Sequence, residues 1–132
     1  MIILDENILE DQRQLLLKWN VPIRQIGIEA GRKGMKDDEI IPFLRGLRSP
    51  TFFTLDADFF RRDWCHARYG LFCLSVKDTE AAFFIRRVLH HPGFDTQAKR
   101  MGQVIRVSHA GLAVWRLHAE RPVNLGWAGV TS

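Results

Sequence analysis

Two apolar runs in this chain end in acids. Ile2-Ile3-Leu4 runs into Asp5-Glu6-Asn7, and Phe52-Phe53-Thr54-Leu55 runs into Asp56-Ala57-Asp58-Phe59. A strand that is apolar on both faces is buried on both faces, the habit of strands in parallel sheets covered by helices. Carboxylates that follow such strands sit on the rim of the sheet, where open α/β folds build their sites. Two such rims brought together make a divalent-metal site, which points toward phosphodiester chemistry.

Periodicity along the chain alternates between strand and helix. Met1 to Leu4 reads as a first strand, and Asn7 with Glu10 three residues on resembles a capping box. The helix that follows carries Ile8, Leu9, Leu15, Leu16 and Trp19 on a broad apolar face and stops before Pro22. Ile23 to Ile28 is β-branched enough for a second strand, and Gly31-Arg32-Lys33-Gly34 makes a basic loop. Asp37 is placed to cap a second helix through Leu47, with Pro42 within its first turn or so.

Thr51 to Leu55 reads as the central buried strand and Leu71 to Val76 as a fourth. The Arg-rich, aromatic stretch from Ala57 to Tyr69 between them is a loop or short helix. A third helix opens at Asp78 or Thr79, turns Ala82, Phe83, Ile85, Val88 and Leu89 inward, and ends at His90-His91-Pro92-Gly93. Val104 to Ser108 and Leu112 to Leu117 are two more strands, joined by the short turn His109-Ala110-Gly111. Beyond Glu120, Pro122, Gly126 and Gly129 break any period, and Trp127 is the residue expected to pin that tail to the body. The β-α-β-α-β opening calls for a parallel core sheet with helices on its faces and an antiparallel edge.

The 132 residues suffice for one core and are too few for two. We divide the chain into a domain over 1–119 and a C-terminal tail over 120–132 packed on it. No apolar run approaches the roughly 20 residues of a membrane span, so the expectation is a soluble, cytoplasmic protein. Cys65 and Cys73 lack paired or C-x-x-C spacing and read as reduced thiols. Of the 15 acids, seven (Asp5, Glu6, Asp37, Asp38, Glu39, Asp56, Asp58) fall in three clusters, leaving eight against 19 Lys and Arg elsewhere. An acidic spot on a basic body suits a polyanion held by cations while metal ions occupy the acids.

In a parallel sheet the carboxyl ends of strands one and three share an edge, so Asp5 and Asp56 converge there. A helix running antiparallel to the strands begins at that edge too, bringing Asp37 or Asp38. Mg²⁺ or Mn²⁺ is the natural counter-charge, because hard cations prefer oxygen ligands and keep exchangeable waters. Asp37, Asp58 and Glu6 also have plain structural readings as caps or helix-dipole partners.

These phrases, Leu4-Asp5-Glu6-Asn7, Lys36-Asp37-Asp38-Glu39-Ile40 and Thr54-Leu55-Asp56-Ala57-Asp58-Phe59, resemble the compact PIN-like domain family over about the first 75 residues. The resemblance implies a three-layer α/β/α fold with a mainly parallel central sheet. It also implies RNA cleavage by acids that bind Mg²⁺ or Mn²⁺, and an antitoxin partner in a toxin–antitoxin pair. Carried over by position, Asp5, Asp37, Asp56 and Asp58 are the catalytic and metal-binding acids, with Glu6 at a further acidic position. Leu112 to Ser132 goes beyond the family pattern.

Arg61, Arg62, Lys33 and Lys36 stand close enough to the acidic phrases to be candidates for holding nucleic acid. His90-His91 and Cys65-His66 lack the repeated spacing of a zinc site, and no P-loop or G-x-G-x-x-G phrase is present. The leading expectation is a metal-dependent ribonuclease. A catalytically weak or inactive module that binds RNA or an antitoxin is the second. A structural role is the third, with association through the tail around Trp115 and Trp127, a homodimer included.

Overall fold

Ile2–Leu4 (β1), Thr51–Thr54 (β3) and Gly70–Leu74 (β4) are buried along their whole length, as their apolar runs require. The computed structural model describes residues 1–127. Its single sheet has seven strands in the order β2-β1-β3-β4-β5-β6-β7, with β2 at Ile23–Gln25, β5 at Gln103–Ser108, β6 at Gly111–Arg116 and β7 at Val123–Leu125. The first five in that order are parallel, and β5, β6 and β7 pair antiparallel. Val123–Leu125, a strand that the broken period did not announce, adds the last edge. Residues 128–132, with Gly129, lie outside the described residues.

Among the described residues four α-helices complete the α/β fold: α1 (Glu10–Lys18), α2 (Asp37–Arg45), α3 (Ala81–His90) and α4 (Gln97–Arg100). One core layer joins Leu4, Leu16, Phe53, Phe72, Phe84 and Val88 beneath α1 and α3; the other joins Ile3, Ile40, Leu44, Phe52, Leu71 and Val104 beneath α2. This is a three-layer α/β/α arrangement with an antiparallel edge. No helix among the described residues is long and apolar enough to cross a membrane.

The α1 and α3 connections lie over the same face, yet β1 to β2 and β4 to β5 step in opposite directions along the sheet. The two crossovers therefore have opposite hands. The β2-α2-β3 step agrees with β1-α1-β2, so β4-α3-β5 departs from the uniform handedness expected of parallel units. What it gains is packing: α1 and α3 meet directly, the Ala82 N–H donating to Gln12 Oε1 at 2.9 Å.

Local expectations are corrected at several points. Asn7 caps no helix, because α1 starts at Glu10 with Leu9 before it. Leu9 and Leu15 are exposed, so the apolar face of α1 is narrower than its pattern suggests. Pro42 is the sixth residue of α2, where its missing N–H removes an intrahelical bond that the first turn would not have needed. In α3 the ring turned inward is Phe84, while Phe83 is exposed. Trp127 is anchored to the body: its Nε1–H donates to Ser108 O at 2.7 Å and the Arg87 guanidinium lies 4.1 Å from its ring.

At the amino edge of the sheet, Gly70 meets the backbone of the last residue of α4, Arg100. A Cβ there would lie 2.2 Å from the Arg100 carbonyl oxygen. We expect Gly70→Ala to cost about 2 kcal/mol through forced displacement of packed backbone, read as a lower denaturant midpoint. An unchanged midpoint would show that this approach is not tight.

Candidate metal centre

The strand order β2-β1-β3 places a topological switch between β1 and β3, because the chain leaves β1 over one face and leaves β3 over the other. Ligand sites of open sheets lie outside the carboxyl ends of the strands at such a point. Asp5 follows β1 and Asp56 follows β3, so both acids flank the crevice. Helix α2 begins there with Asp37 as its first residue, and Glu39 Oε1 accepts the Lys36 N–H at 3.4 Å to fix that start.

Asp37, Asp56 and Asp58 each offer a carboxylate oxygen, and the three oxygens lie within 4.8 Å of one another. Asp56 holds the set in shape: its Oδ1 accepts the Asp58 N–H at 2.9 Å, turning Ala57–Phe59 into a 3₁₀ turn. Oxygens on one Mg²⁺ ion are at most about 4.2 Å apart, given metal–oxygen distances near 2.1 Å. Asp58 is the exposed member of the set, so its side chain has room to rotate toward the other two. An all-carboxylate set suits a hard cation, so the residues present fit Mg²⁺ or Mn²⁺.

Asp5 stands outside this set and is built into the sheet, its N–H donating to Phe53 O at 2.9 Å. It is 7% exposed; its Oδ2 accepts the Thr54 hydroxyl at 2.7 Å and its Oδ1 accepts the Glu6 N–H at 2.8 Å. The Thr54 oxygen also accepts the Asp56 N–H at 3.0 Å and the Asn7 Nδ2–H at 3.3 Å. Asn7 Oδ1 in turn accepts the Leu55 N–H at 3.3 Å. From β2, Gln25 Nε2 donates to the carbonyls of Asp5 and Ile8 at 3.0 and 2.9 Å. One buried hydroxyl thus ties the end of β1 to the end of β3.

The other sequence candidates divide. Glu6 does not join the three acids: its Oε1 accepts the Gly34 N–H at 2.9 Å and pins the basic loop. Lys33 is exposed in that loop, and Lys36 is exposed immediately before Asp37. Arg61 pairs with Asp63 at 3.1 Å and lies 4.7 Å from the Trp64 ring, while Arg62 lies 5.8 Å from the Trp115 ring. Both arginines are therefore engaged by aromatic neighbours. Thr54, Asn7 and Gln25 were not singled out from sequence as site residues; a threonine within a buried apolar run was the available signal.

Desolvation, and then the charges of Asp56, Asp58 and Asp38, hold the Asp37 carboxyl above its usual range. Burial likewise raises Asp5; the Thr54 and Glu6 hydrogen bonds oppose that rise without cancelling it. Both acids take up a proton more readily when folded than at the ordinary value of 3.8. Stability gained this way is present in acid and is lost as pH climbs from 3.8 through the raised values. In EDTA, melts of the parent and Asp37→Asn should therefore converge at low pH and diverge upward, the variant being the more stable. The melting-temperature gain from Mn²⁺ should grow over the same window, since ions bind ionised carboxylates. A gain independent of pH would remove these acids from metal binding.

No family model, curated protein or solved structure matches the chain.

Proposed function

We propose that this chain is a PIN-like, metal-dependent ribonuclease that cleaves single-stranded RNA at the Asp37–Asp56–Asp58 centre. The observation that carries the reading is the convergence of three carboxylates within 4.8 Å at the switch point of a parallel sheet. Exposed acids that crowd one another by chance repel by about 1 kcal/mol per pair in water and about 3.5 at an effective dielectric of 20. A divalent ion removes that cost. Bound there, Mg²⁺ or Mn²⁺ supplies an activated water and neutralises charge on the phosphate.

The protein's own contribution is positional. Asp56 orders Asp58 through the 3₁₀ turn, and the first turn of α2 presents Asp37 from the opposite side. Thr54 fixes the height of Asp56 relative to β1. Asp5 contributes a buried carboxyl at the end of β1, held by Thr54 and by the Glu6 N–H. Lys36, next to Asp37, lies where a substrate phosphate is attracted. Within this reading an antitoxin is the partner that restrains the activity, and the cytoplasm is where the RNA is met.

The test is incubation of the purified chain with single-stranded RNA and Mn²⁺, with Asp56→Asn beside it. Cleavage by the parent that the variant lacks supports the reading; cleavage equal in both assigns it to a contaminant. One observation favours a second reading. Asp5, the first acid of the resemblance, is engaged by Thr54 and stands outside the three-acid set. A module that binds RNA or its antitoxin partner with little cutting follows from that, and RNA affinity in EDTA with no cleavage in Mn²⁺ selects it.

A further inference from the structure

Beside the acids, a cleft of about 890 Å³ opens along the carboxyl ends of β3, β4 and β5. Leu55 and Ala57, the two neighbours of Asp56 in the chain, form one wall, so the cleft and the metal centre share a rim. The helices explain why it exists. On this face α2 covers β1 and β3, and the turn at Ala57–Phe59 ends the cover. Beyond Phe60 the floor of the cleft is the pair of Cys73 on β4, itself buried, and Arg106 on β5, whose side chain is exposed.

The volume falls within the range of roughly 300–1,000 Å³ usual for small-molecule sites. It is far more room than a bare anion fills. Apolar walls carry two cations, Lys77 and Arg106, and neither forms an ion pair among the described residues. The Arg106 guanidinium lies 5.4 Å from the Phe60 ring, so a charge and an aromatic face stand side by side. The one carboxylate in the lining, Glu80, is turned to His109 Nε2 at 3.0 Å. Cys73 offers no nucleophile, because burial, and then Asp56, pushes its thiol up to about 12.

Unpaired cations over apolar and aromatic walls are the pattern by which proteins take single-stranded nucleic acid, the bases on rings and the backbone on charge. We infer that this cleft holds one nucleotide of a single strand, its base against Phe60 and its phosphate between Lys77 and Arg106, with the neighbouring phosphodiester at the acids. The purpose of the cleft rests on the nuclease reading; its affinity does not. Lys77 and Arg106 were not among the residues that the sequence suggested for nucleic acid, because they lie far along the chain from the acidic phrases.

Hexauridylate and its deoxy counterpart, titrated into the isotope-labelled full chain in EDTA, test the cleft without any catalysis. Amide shifts should concentrate at Ser75, Lys77, Arg106 and His109. Arg106→Gln should weaken binding about tenfold, as loss of a charge-assisted bond does. It should also lower the slope of log affinity against log salt by about 0.7, one phosphate contact on a single strand, and Arg106→Lys should restore that slope. Tighter binding of the ribose form makes RNA the occupant; equal binding makes it a strand of either sugar. No binding, shifts confined to other surfaces, or an unchanged slope in Arg106→Gln overturns the proposal. If hexauridylate fills the cleft while Mn²⁺ elicits no cleavage, the nuclease reading fails and the cleft stands. If RNA is cut and Arg106→Gln binds as the parent does, the cleft fails alone.

Discussion

Asp56→Asn should lower Mn²⁺-dependent RNA cleavage by a factor on the order of 10²–10³, the scale on which a preorganised electrostatic group acts. The substitution isolates charge from shape. An asparagine oxygen can still accept the Asp58 N–H that Asp56 accepts at 2.9 Å, so the 3₁₀ turn survives. What disappears is one carboxylate from a set whose oxygens lie within 4.8 Å of one another. For the same reason the apo variant should melt a few degrees higher than the parent. Asp56 is the leading charge among those that hold Asp37 above its usual range, and relief of about 1 kcal/mol moves a domain of this size by that much. Activity and apo stability thus move in opposite directions. An apo variant that melts lower would mean that the three acids are not crowded and ionised together, and the metal assignment would lose its basis.

The centre of the sheet was legible because β1, β3 and β4 are buried along their whole length and read as runs with no polar period. Ile2–Leu4 and Thr51–Thr54 differ from the expected strands by one residue, since burial on both faces leaves a strand few ways to end. The short edge strand Val123–Leu125 was not legible, because Pro122 and Gly126 mask a three-residue pairing that only β6 specifies. Among the acids, Asp37, Asp56 and Asp58 converge because strand order and helix direction force them to one edge. The different fate of Glu6 lay beyond sequence: its contact is with the N–H of Gly34, a backbone group 28 residues away. Asn7 was misread for a related reason. Its spacing to Glu10 fits a capping box, yet its side chain spans to Thr54 and Leu55 on β3. A local motif was outcompeted by a tertiary one.

That tertiary knot makes the loss of the Thr54 hydroxyl costly in stability. Thr54→Val keeps the shape of the side chain and removes the hydroxyl, leaving Asp5 Oδ2 without its 2.7 Å donor and the Asp56 N–H without its 3.0 Å acceptor. Thr54 is wholly buried and Asp5 nearly so, which keeps water from replacing the bond. Unpaired buried groups cost about 1–3 kcal/mol each, more when one is charged, so we expect about 3 kcal/mol of lost stability by chemical denaturation. Cleavage should fall about 10–100-fold, the scale of a group that orients metal ligands without touching the metal. Thr54→Ser is the control: it retains the hydroxyl and gives up a methyl group, about 1 kcal/mol, with activity near that of the parent. The pH dependence separates a charge effect from a packing effect. The hydroxyl favours ionised Asp5, so its absence raises that carboxyl further, and the cost of Thr54→Val should shrink as pH falls and Asp5 protonates. A deficit that stays constant across that range would assign Thr54 to packing alone and leave Asp5 out of the electrostatics of the site.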